Sequence, residues 1–250
     1  MCRMIGKVSF EEKTLEYEVL EAPRSLLWLS ENGRQPDNPD KRGPHKDGNG
    51  ISYVENGIVK CEKYGKENFF NDSFKELVRT KKSKISIAHI RRASEGLEKG
   101  QKCSHPFYAE KNKEGFALCH NGAIYGKFME EAKLQNSSDS EIFLNEIVKR
   151  IKSTRDDEIF GVVNDISKNY DFSSLTSLFM TKDKLCAWRI YKESEKYSKY
   201  YTLYISFRED SVILASEPID DGEWSLLPNK NFISITPLEN SVKTSVYVVK

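Results

Sequence analysis

The sequence predicts a mixed α+β fold that forms one domain. Its apolar residues switch repeatedly between the two-residue spacing of half-buried strands and the three- to four-residue spacing of helices. The sequence has no internal repeat, low-complexity tract or linker that would divide it into separate parts. From Leu175 onward, short strand patterns follow one another across tight turns, which favours antiparallel pairing in the second half.

The composition is that of an ordinary globular protein. The chain has 250 residues, with 39 Lys+Arg against 38 Asp+Glu and a formal net charge of +1. A balanced charge supplies no basic surface, so we expect neither nucleic acid nor a membrane as a partner. No run approaches the roughly 18 apolar residues of a membrane span. Arg3 and Lys7 lie where a signal peptide would be apolar, and we therefore expect a cytoplasmic protein.

The cysteines and histidines show no metal-ligand or disulfide pattern. The cysteines are odd in number and contain no C-x-x-C pair: Cys2, Cys61, Cys103, Cys119 and Cys186. The histidines also lack ligand spacing: His45, His89, His105 and His120. We therefore expect no disulfide framework, no metal and no cofactor.

The first half of the chain contains two strand patterns, two helical patterns, one hairpin and one long loop. The strand patterns are residues 4–10 and 84–90, and the helical patterns are residues 15–29, with a break near Pro23, and 70–79. Asn56-Gly57 separates residues 51–54 from 58–61 and predicts a type I′ hairpin, because both residues accept positive φ angles. Residues 32–49 are rich in Gly, Pro, Asn and Asp and form a loop about as long as ordered domains tolerate without a functional reason.

The second half is dominated by strands. A strand at residues 116–119 stops at His120-Asn121-Gly122, and Ser138 or Asp139 is suited to cap a helix that ends near Ile151. The later strands are expected to complete a second sheet; they are residues 178–181, 185–191, 201–207, 212–215, 232–235 and 245–249. The charge-rich residues 192–199 are expected to be a solvated loop.

Cys2 is a candidate nucleophile. A small residue at position 2 permits removal of Met1, after which one residue would carry both a thiol and a free α-amine. An α-amine with a pKa of about 7.7 to 8.0 can accept the proton of a thiol with a pKa of about 8.5. A cysteine at position 2 is also consistent with a small residue that only packs beneath the first strand. The assignment of Cys2 as a nucleophile therefore needs support from other motifs.

Three further motifs provide groups suited to acyl transfer. The side-chain amide of Asn121 and the main-chain N–H of Gly122 are adjacent donors for an oxyanion, although Asn-Gly is also a common turn. Arg91 follows a strand and can bind a carboxylate bidentately, although arginine pairs also form surface ion pairs. Asp139 can receive a substrate ammonium or cap the helix, or do both.

The motifs occur in the order seen in class II glutamine amidotransferases, which the sequence resembles over essentially its whole length. They are Met1-Cys2-Arg3-Met4-Ile5-Gly6, His45-x-Asp47-Gly48-x-Gly50, Ala88-His89-Ile90-Arg91-Arg92-Ala93-Ser94, His105-Pro106-Phe107, His120-Asn121-Gly122 and Ser138-Asp139-Ser140-Glu141. Ala215-Ser216-Glu217-Pro218 and Trp224 are similar to the second half of the stand-alone branch. The resemblance implies an N-terminal-nucleophile hydrolase fold, a four-layer α/β/β/α sandwich of two mostly antiparallel sheets, with residues 1–250 as a single domain.

The resemblance also implies a role for each candidate residue. Cys2 is the nucleophile, its α-amine is the general base, and a γ-glutamyl thioester is the intermediate. Asn121 Nδ2 and the Gly122 N–H form the oxyanion hole. The site-lining residues are Arg91 for the substrate α-carboxylate, Asp139 for the α-ammonium and His105 in the pocket wall.

Two residues depart from the family pattern. Asn49 occupies the position where the stand-alone branch usually has Trp, and Glu95 occupies the position where the larger synthases carry His. Both departures bear on the apolar wall of the pocket and therefore on substrate identity.

Three functions fit these observations. The first is a glutaminase that passes ammonia to a separate synthase subunit, expected because no region for an acceptor remains within the predicted domain. The second is a free-standing hydrolase of γ-glutamyl amides or peptides. The third is a non-catalytic binding relative, and the joint presence of Cys2, Arg91, Asn121, Gly122 and Asp139 argues against it.

Overall fold

Two antiparallel sheets packed face to face form the centre of the fold. The structure is a computed structural model that describes residues 2–93 and 100–249. Its strands in chain order are β1 (Arg3–Lys13), β2 (Gly33–Arg34), β3 (Arg42–Gly43), β4 (Gly48–Glu55), β5 (Ile58–Gly65), β6 (Ser83–Arg91), β7 (Phe107–Lys111), β8 (Glu114–Asn121), β9 (Thr176–Met180), β10 (Leu185–Arg189), β11 (Tyr204–Phe207), β12 (Ser211–Ala215), β13 (Ser225–Leu226), β14 (Asn231–Pro237) and β15 (Val242–Val248).

Helices lie on the outer faces of the two sheets. In chain order the α-helices are α1 (Leu26–Asn32), α2 (Asp72–Thr80), α3 (Lys127–Leu134), α4 (Asp139–Arg150), α5 (Asp156–Asn169) and α6 (Glu195–Tyr200). A π-helical turn at Tyr17–Glu21 and 3₁₀ turns at Lys66–Asn68 and Gln101–Cys103 complete the helical segments of the described residues. Among these helices, none is long and apolar enough to cross a membrane.

Strand alternation divides the core into three apolar layers. Met4 and Val8 of β1 point between the sheets, whereas Ile5 points outward beneath the helices of the first face. On the second sheet, Ala117 and Cys119 of β8 face the first sheet. The remaining layer packs α3, α4 and α5 on the outer face of the second sheet. The order is therefore helix, sheet, sheet, helix, and the four-layer α/β/β/α sandwich is confirmed.

The topology places the first strand in the middle of its sheet. The described strands of the first sheet follow the order β13-β11-β12-β1-β6-β4-β5, and those of the second follow β15-β14-β10-β9-β8-β7. Ile5 is paired on one side with Ala215 of β12 and on the other with Ala88 of β6. The amino-terminal end of β1 is thus held by neighbours on both sides.

Several local predictions are confirmed. The turn between β4 and β5 has Asn56 and Gly57 at φ values of 52° and 73°, as a type I′ turn requires. Ser138 is the N-cap of α4, and its hydroxyl accepts the N–H of Ser140. The break near Pro23 separates the π-helical turn from α1.

Two predictions are wrong. Residues 192–199 are not a loop throughout, because α6 begins at Glu195. Ser194 caps that helix by accepting the Tyr197 N–H, and Tyr200 is buried while the charged residues remain exposed. The later strands do not all complete the second sheet, since β11, β12 and β13 lie in the first sheet beside β1. Met1, Ser94 and Glu95 lie outside the described residues.

Phe143 supports the second sheet from its helical side. It is fully buried and makes edge contacts with His120 at 5.5 Å and Trp188 at 6.2 Å between ring centroids. Phe143→Ala is expected to lower the free energy of unfolding by about 3–5 kcal/mol, because it opens a cavity in this layer. Urea denaturation followed by circular dichroism measures the loss. Leu134→Ala is the control, since Leu134 is 88% exposed and its truncation should change stability by no more than about 0.5 kcal/mol. Equal losses in the two variants would contradict this packing.

Candidate active site

Cys2 lies at the start of β1, on the side that faces the second sheet. Its main-chain nitrogen donates to Asn121 Oδ1 at 3.1 Å, and its carbonyl accepts from Arg3 Nη1 at 2.8 Å. The residue is only 6% exposed. Both main-chain polar groups of Cys2 are therefore fixed, and its thiol lies where the two sheets meet.

A buried ion cluster holds the residue that follows. Arg3 is fully buried, and its Nε donates to Glu217 Oε1 at 2.6 Å. Its Nη2 donates to the carbonyl of Arg34 at 2.8 Å, and the guanidinium lies 4.6 Å from the ring centre of Tyr200. Glu217 also accepts the Arg34 N–H and a hydrogen bond from Arg42. Every nitrogen of the Arg3 side chain thus has a partner, which makes its burial possible.

The loop between α1 and β4 is anchored by the same cluster. His45 is buried, its N–H donates to the carbonyl of Ser30 at 2.7 Å, and its ring nitrogen Nε2 lies 3.2 Å from the carbonyl of Arg34. Burial, together with the positive charge of Arg3, holds the pKa of His45 well below its usual range. A neutral His45 therefore ties this loop to α1 and β2.

His89 and His105 lie beside the thiol. His89, on β6, is opposite Met4 of β1, so its side chain shares the inter-sheet side with Cys2. The imidazole of His105 lies 4.3 Å from that of His89 between ring centroids, with 32° between the planes. Gly50 permits this approach, because a Cβ at that position would lie 2.4 Å from the His105 carbonyl oxygen.

The environment of Cys2 favours its thiolate. Burial alone would raise the pKa of the thiol, but the adjacent His89 imidazole and the main-chain N–H of Arg92 help to lower it to about 5. By contrast, burial raises the pKa of Cys61 and of Cys186 to about 12. Of these three thiols, Cys2 is thus the one suited to nucleophilic chemistry at neutral pH.

Asn121 and Gly122 end β8 on the opposite sheet. The side-chain nitrogen Nδ2 of Asn121 is buried and has no hydrogen-bond partner among the described residues, whereas its Oδ1 is held by the Cys2 nitrogen. A Cβ on Gly122 would lie 1.9 Å from the Ser174 carbonyl oxygen, so only glycine fits there. His120 fixes the strand end through Ser140 Oγ at 2.8 Å and the Ser174 carbonyl at 2.9 Å.

Arg91 and Asp139 occupy the ends of a strand and a helix. Arg91 is the last residue of β6, is buried, and lies one position beyond the pairing of Arg3 with Ile90. Asp47 fixes this strand end, because its N–H donates to the Arg91 carbonyl. Asp139 is half-buried in the first turn of α4, and its Oδ2 accepts the Ile124 N–H at 2.8 Å. The Ile124 contact brings the start of α4 against the segment that follows Gly122.

Asn49 does not face the thiol. It pairs with Ile90, and both belong to the side of the first sheet that is covered by helices. Its Oδ1 accepts the Phe70 N–H at 3.1 Å. The departure at this position therefore changes the support beneath β4 and leaves the lining near Cys2 to other residues.

Sequence reasoning named the candidate residues but not the groups that hold them. The motifs contain Arg3, His89 and Glu217 without indicating a role for them, and Tyr200 falls in none of the predicted elements. The motifs Cys2-Arg3 and Ser216-Glu217 carried a signal, because an arginine and a glutamate next to candidate residues could have been tested as an ion pair. Because Arg3 and Glu217 are 214 positions apart in the sequence, no local pattern predicts that contact.

Proteins of known sequence and structure are similar to this chain. The family model for class II glutamine amidotransferases matches residues 35–188. An uncharacterized protein of Methanocaldococcus jannaschii is 32% identical over 216 residues, and the match covers 74% of this chain and 59% of that protein. The chain thus spans about three fifths of the length of that relative.

Two solved structures share the fold. Glutamine phosphoribosylpyrophosphate amidotransferase of B. subtilis gives a TM-score of 0.67 at 18% identity, covering 98% of this chain and 49% of that one. A glutamine aminotransferase class-II domain protein of Silicibacter pomeroyi gives 0.63 at 15% identity, covering 99% of each chain. At these identities the likeness concerns the fold alone.

Cys2 is expected to react with iodoacetamide below neutral pH. Since its pKa is lowered to about 5, the thiolate is present above that pH and is lost as the pH falls through it. Peptide mass spectrometry of labelling rates should therefore give a midpoint near pH 5, instead of about 8.5 for an ordinary thiol. Cys61 serves as the internal control, because burial raises the pKa of its thiol to about 12. A midpoint for Cys2 near that of an ordinary thiol would contradict this environment.

Glu217→Gln is expected to destabilise the fold by about 3–5 kcal/mol, because it leaves Arg3 charged and buried without its partner. The positive charges of Arg3 and Arg42 outweigh burial and lower the pKa of Glu217. The contribution of the carboxylate is therefore complete above about pH 4.3, the ordinary value for Glu, and is lost as the pH falls through the lowered pKa. Denaturant unfolding at several pH values measures both effects.

Asp221→Asn is the matched control for this ion pair. Asp221 also pairs with an arginine, Arg24 at 2.8 Å, but its side chain is 90% exposed. Its loss should therefore change stability by no more than about 1 kcal/mol. Similar effects in the two variants would show that burial does not set the strength of the Arg3–Glu217 pair.

Proposed function

Because the chain belongs to the class II glutamine amidotransferase family, we propose that it hydrolyses the side-chain amide of glutamine at Cys2, giving glutamate and ammonia. The observation that carries this proposal is the meeting of Cys2 with Asn121 across the two sheets. One residue brings a nucleophile and the other an unpaired amide donor. Because the first sheet contributes Cys2 and the second contributes Asn121, we propose that residues 1–250 form a single domain.

In the proposed first step, Cys2 Sγ forms a bond to the side-chain carbonyl carbon of glutamine. The lowered pKa of the thiol supports attack by a thiolate at neutral pH. Removal of Met1 is part of the proposal, because a free α-amine can accept the thiol proton and deliver it to the departing ammonia. The C–N bond then breaks and leaves a γ-glutamyl thioester.

Negative charge develops on the substrate oxygen during this attack. Asn121 Nδ2 is a suitable donor because it is buried and unpaired among the described residues. The Gly122 N–H is the second proposed donor, next to it in the chain. Such donors stabilise the transition state because they are in position before the charge appears.

Substrate selection is assigned to three residues. Arg91 is proposed to bind the α-carboxylate and Asp139 the α-ammonium, which would fix the amino acid by both charged groups. His105 is proposed to line the pocket beside Cys2. Water then attacks the thioester carbon, the C–S bond breaks, and glutamate and the free thiol are formed.

We expect purified protein to release ammonia from glutamine and intact-mass analysis to show loss of Met1. Cys2→Ala should abolish hydrolysis, because no other group at the site can form the thioester. Coupled measurement of glutamate and ammonia tests this expectation. Cys61→Ala is the control and should keep the wild-type rate, since Cys61 lies on β5, the edge strand of the first sheet, and its thiol is protonated at neutral pH.

The substrate range of the wild type separates the candidate functions. If the protein hydrolyses γ-glutamyl peptides and hydrolyses glutamine only negligibly, then γ-glutamyl peptides, and not glutamine, are the substrate class of this site. Glutamine hydrolysis that rises when a co-purifying synthase is added would identify an ammonia acceptor. Full activity of Cys2→Ala would overturn both enzymatic functions.

A further inference from the structure

A pair of histidines beside Cys2 forms a side-chain cluster with its thiol. The thiol sulfur of Cys2 and one ring nitrogen each of His89 and His105 lie within 4.8 Å of one another. All three residues are buried, with His89 fully buried and His105 4% exposed. In the described residues, none of the four ring nitrogens has an oxygen or nitrogen hydrogen-bond partner.

This arrangement is unusual for polar groups inside a protein. Buried side-chain nitrogens nearly always have a hydrogen-bond partner, and an exception calls for an explanation such as an ion or water. The nearby His120 follows the rule, because both of its ring nitrogens have oxygen partners at 2.8 and 2.9 Å. Apart from the contact of His89 with the Cys2 thiol, the ring nitrogens of His89 and His105 have no partner among the described residues, and they therefore mark a position prepared for a ligand that accepts electron pairs.

We propose that Cys2, His89 and His105 bind one Zn²⁺ ion and that this ion reversibly blocks the thiol. A thiolate and two imidazoles form a donor set that suits Zn²⁺, whereas Mg²⁺ and Ca²⁺ require oxygen ligands. Tetrahedral bonds of about 2.3 Å to sulfur and about 2.0 Å to nitrogen place ligand atoms roughly 3.5 Å apart. Small rotations of the three side chains close the remaining distance.

The stacked geometry holds both imidazoles near the sulfur. His89 lies near the end of β6, which pairs with β1 on one side and β4 on the other. His105 is held between His89 and Phe107, whose ring centre lies 4.6 Å away. If Met1 is removed, as the proposed function requires, the α-amine of Cys2 is a fourth donor on the same residue as the sulfur. An amine and a thiolate on one residue would chelate the ion.

Binding of the ion and attack on the amide exclude each other. The sulfur and the α-amine of Cys2, which share one proton, bind Zn²⁺ as thiolate and free amine and release that proton to solvent, with no change of oxidation state. The sulfur lone pair that would attack the substrate carbon is then used in the bond to zinc. The ion also occupies the space in front of His105, where the proposed substrate lies.

Cobalt titration tests the site without any need for enzymatic activity. Co²⁺ added to the chelator-treated full chain should bind with a stoichiometry of one, giving a thiolate-to-cobalt absorption band in the near ultraviolet and tetrahedral bands in the visible. Zn²⁺ should displace it. Cys2→Ala should lose the thiolate band, and His89→Gln and His105→Gln should each weaken binding by at least about tenfold.

Cys186→Ala is the matched control, because Cys186 is a buried free thiol outside this cluster. Its affinity for Co²⁺ should equal that of the wild type. Circular dichroism of each variant establishes that weakened binding does not reflect unfolding. An unchanged spectrum in Cys2→Ala, or an unchanged affinity in both folded histidine variants, would overturn the proposal.

The two proposals fail independently. Absence of a cobalt–thiolate band in a protein that hydrolyses glutamine overturns the metal site alone. A cobalt site in a protein without amidase activity overturns the proposed function alone. If both hold, one equivalent of Zn²⁺ should abolish hydrolysis and a chelator should restore it; hydrolysis that continues at full zinc occupancy would overturn the blocking role.

Discussion

The buried ion pair between Arg3 and Glu217 is the contact on which the geometry of the site depends. A fully buried guanidinium persists only when it is paired and its N–H groups have acceptors. Arg3 meets this requirement by reaching Glu217, the Arg34 carbonyl and the carbonyl of Cys2. The same side chain therefore joins three distant segments and fixes the carbonyl of the candidate nucleophile. The position of Cys2 follows from charge neutralisation as much as from strand pairing.

The sandwich brings together groups that no single sheet could supply. The first sheet carries Cys2 and His89 on neighbouring strands, and the second carries Asn121 at the end of β8. The apolar layer between the sheets continues from this edge through Met4, Cys119 and other buried side chains. Because such interiors are close-packed, the distance between the sheets is nearly fixed. The hydrogen bond from the Cys2 nitrogen to Asn121 therefore joins two rigid surfaces.

The sequence predicted the features that are encoded locally. Asn56-Gly57 specified its turn through the φ angles that these residues accept, and Ser138 specified the start of α4 through its hydroxyl. The sheet that receives β11 and β12 is decided by packing across long sequence separations, which alternation within a strand does not encode. The contact of Arg3 with Glu217 and the stacking of His89 on His105 are also decided by packing between residues that are distant in the sequence. The motifs marked these residues without showing which of them touch.

The arrangement that lowers the pKa of the Cys2 thiol is also the one that would give it an affinity for metal. A buried thiolate needs positive or dipolar neighbours, and the His89 imidazole with the Arg92 N–H supplies them. Moving the imidazole away to reduce metal affinity would also remove a group that lowers the pKa of Cys2. Replacing His105 alone separates the two effects, because His105 is not among the groups that lower that pKa. The second histidine is therefore where this fold could gain or lose metal control while keeping its nucleophile.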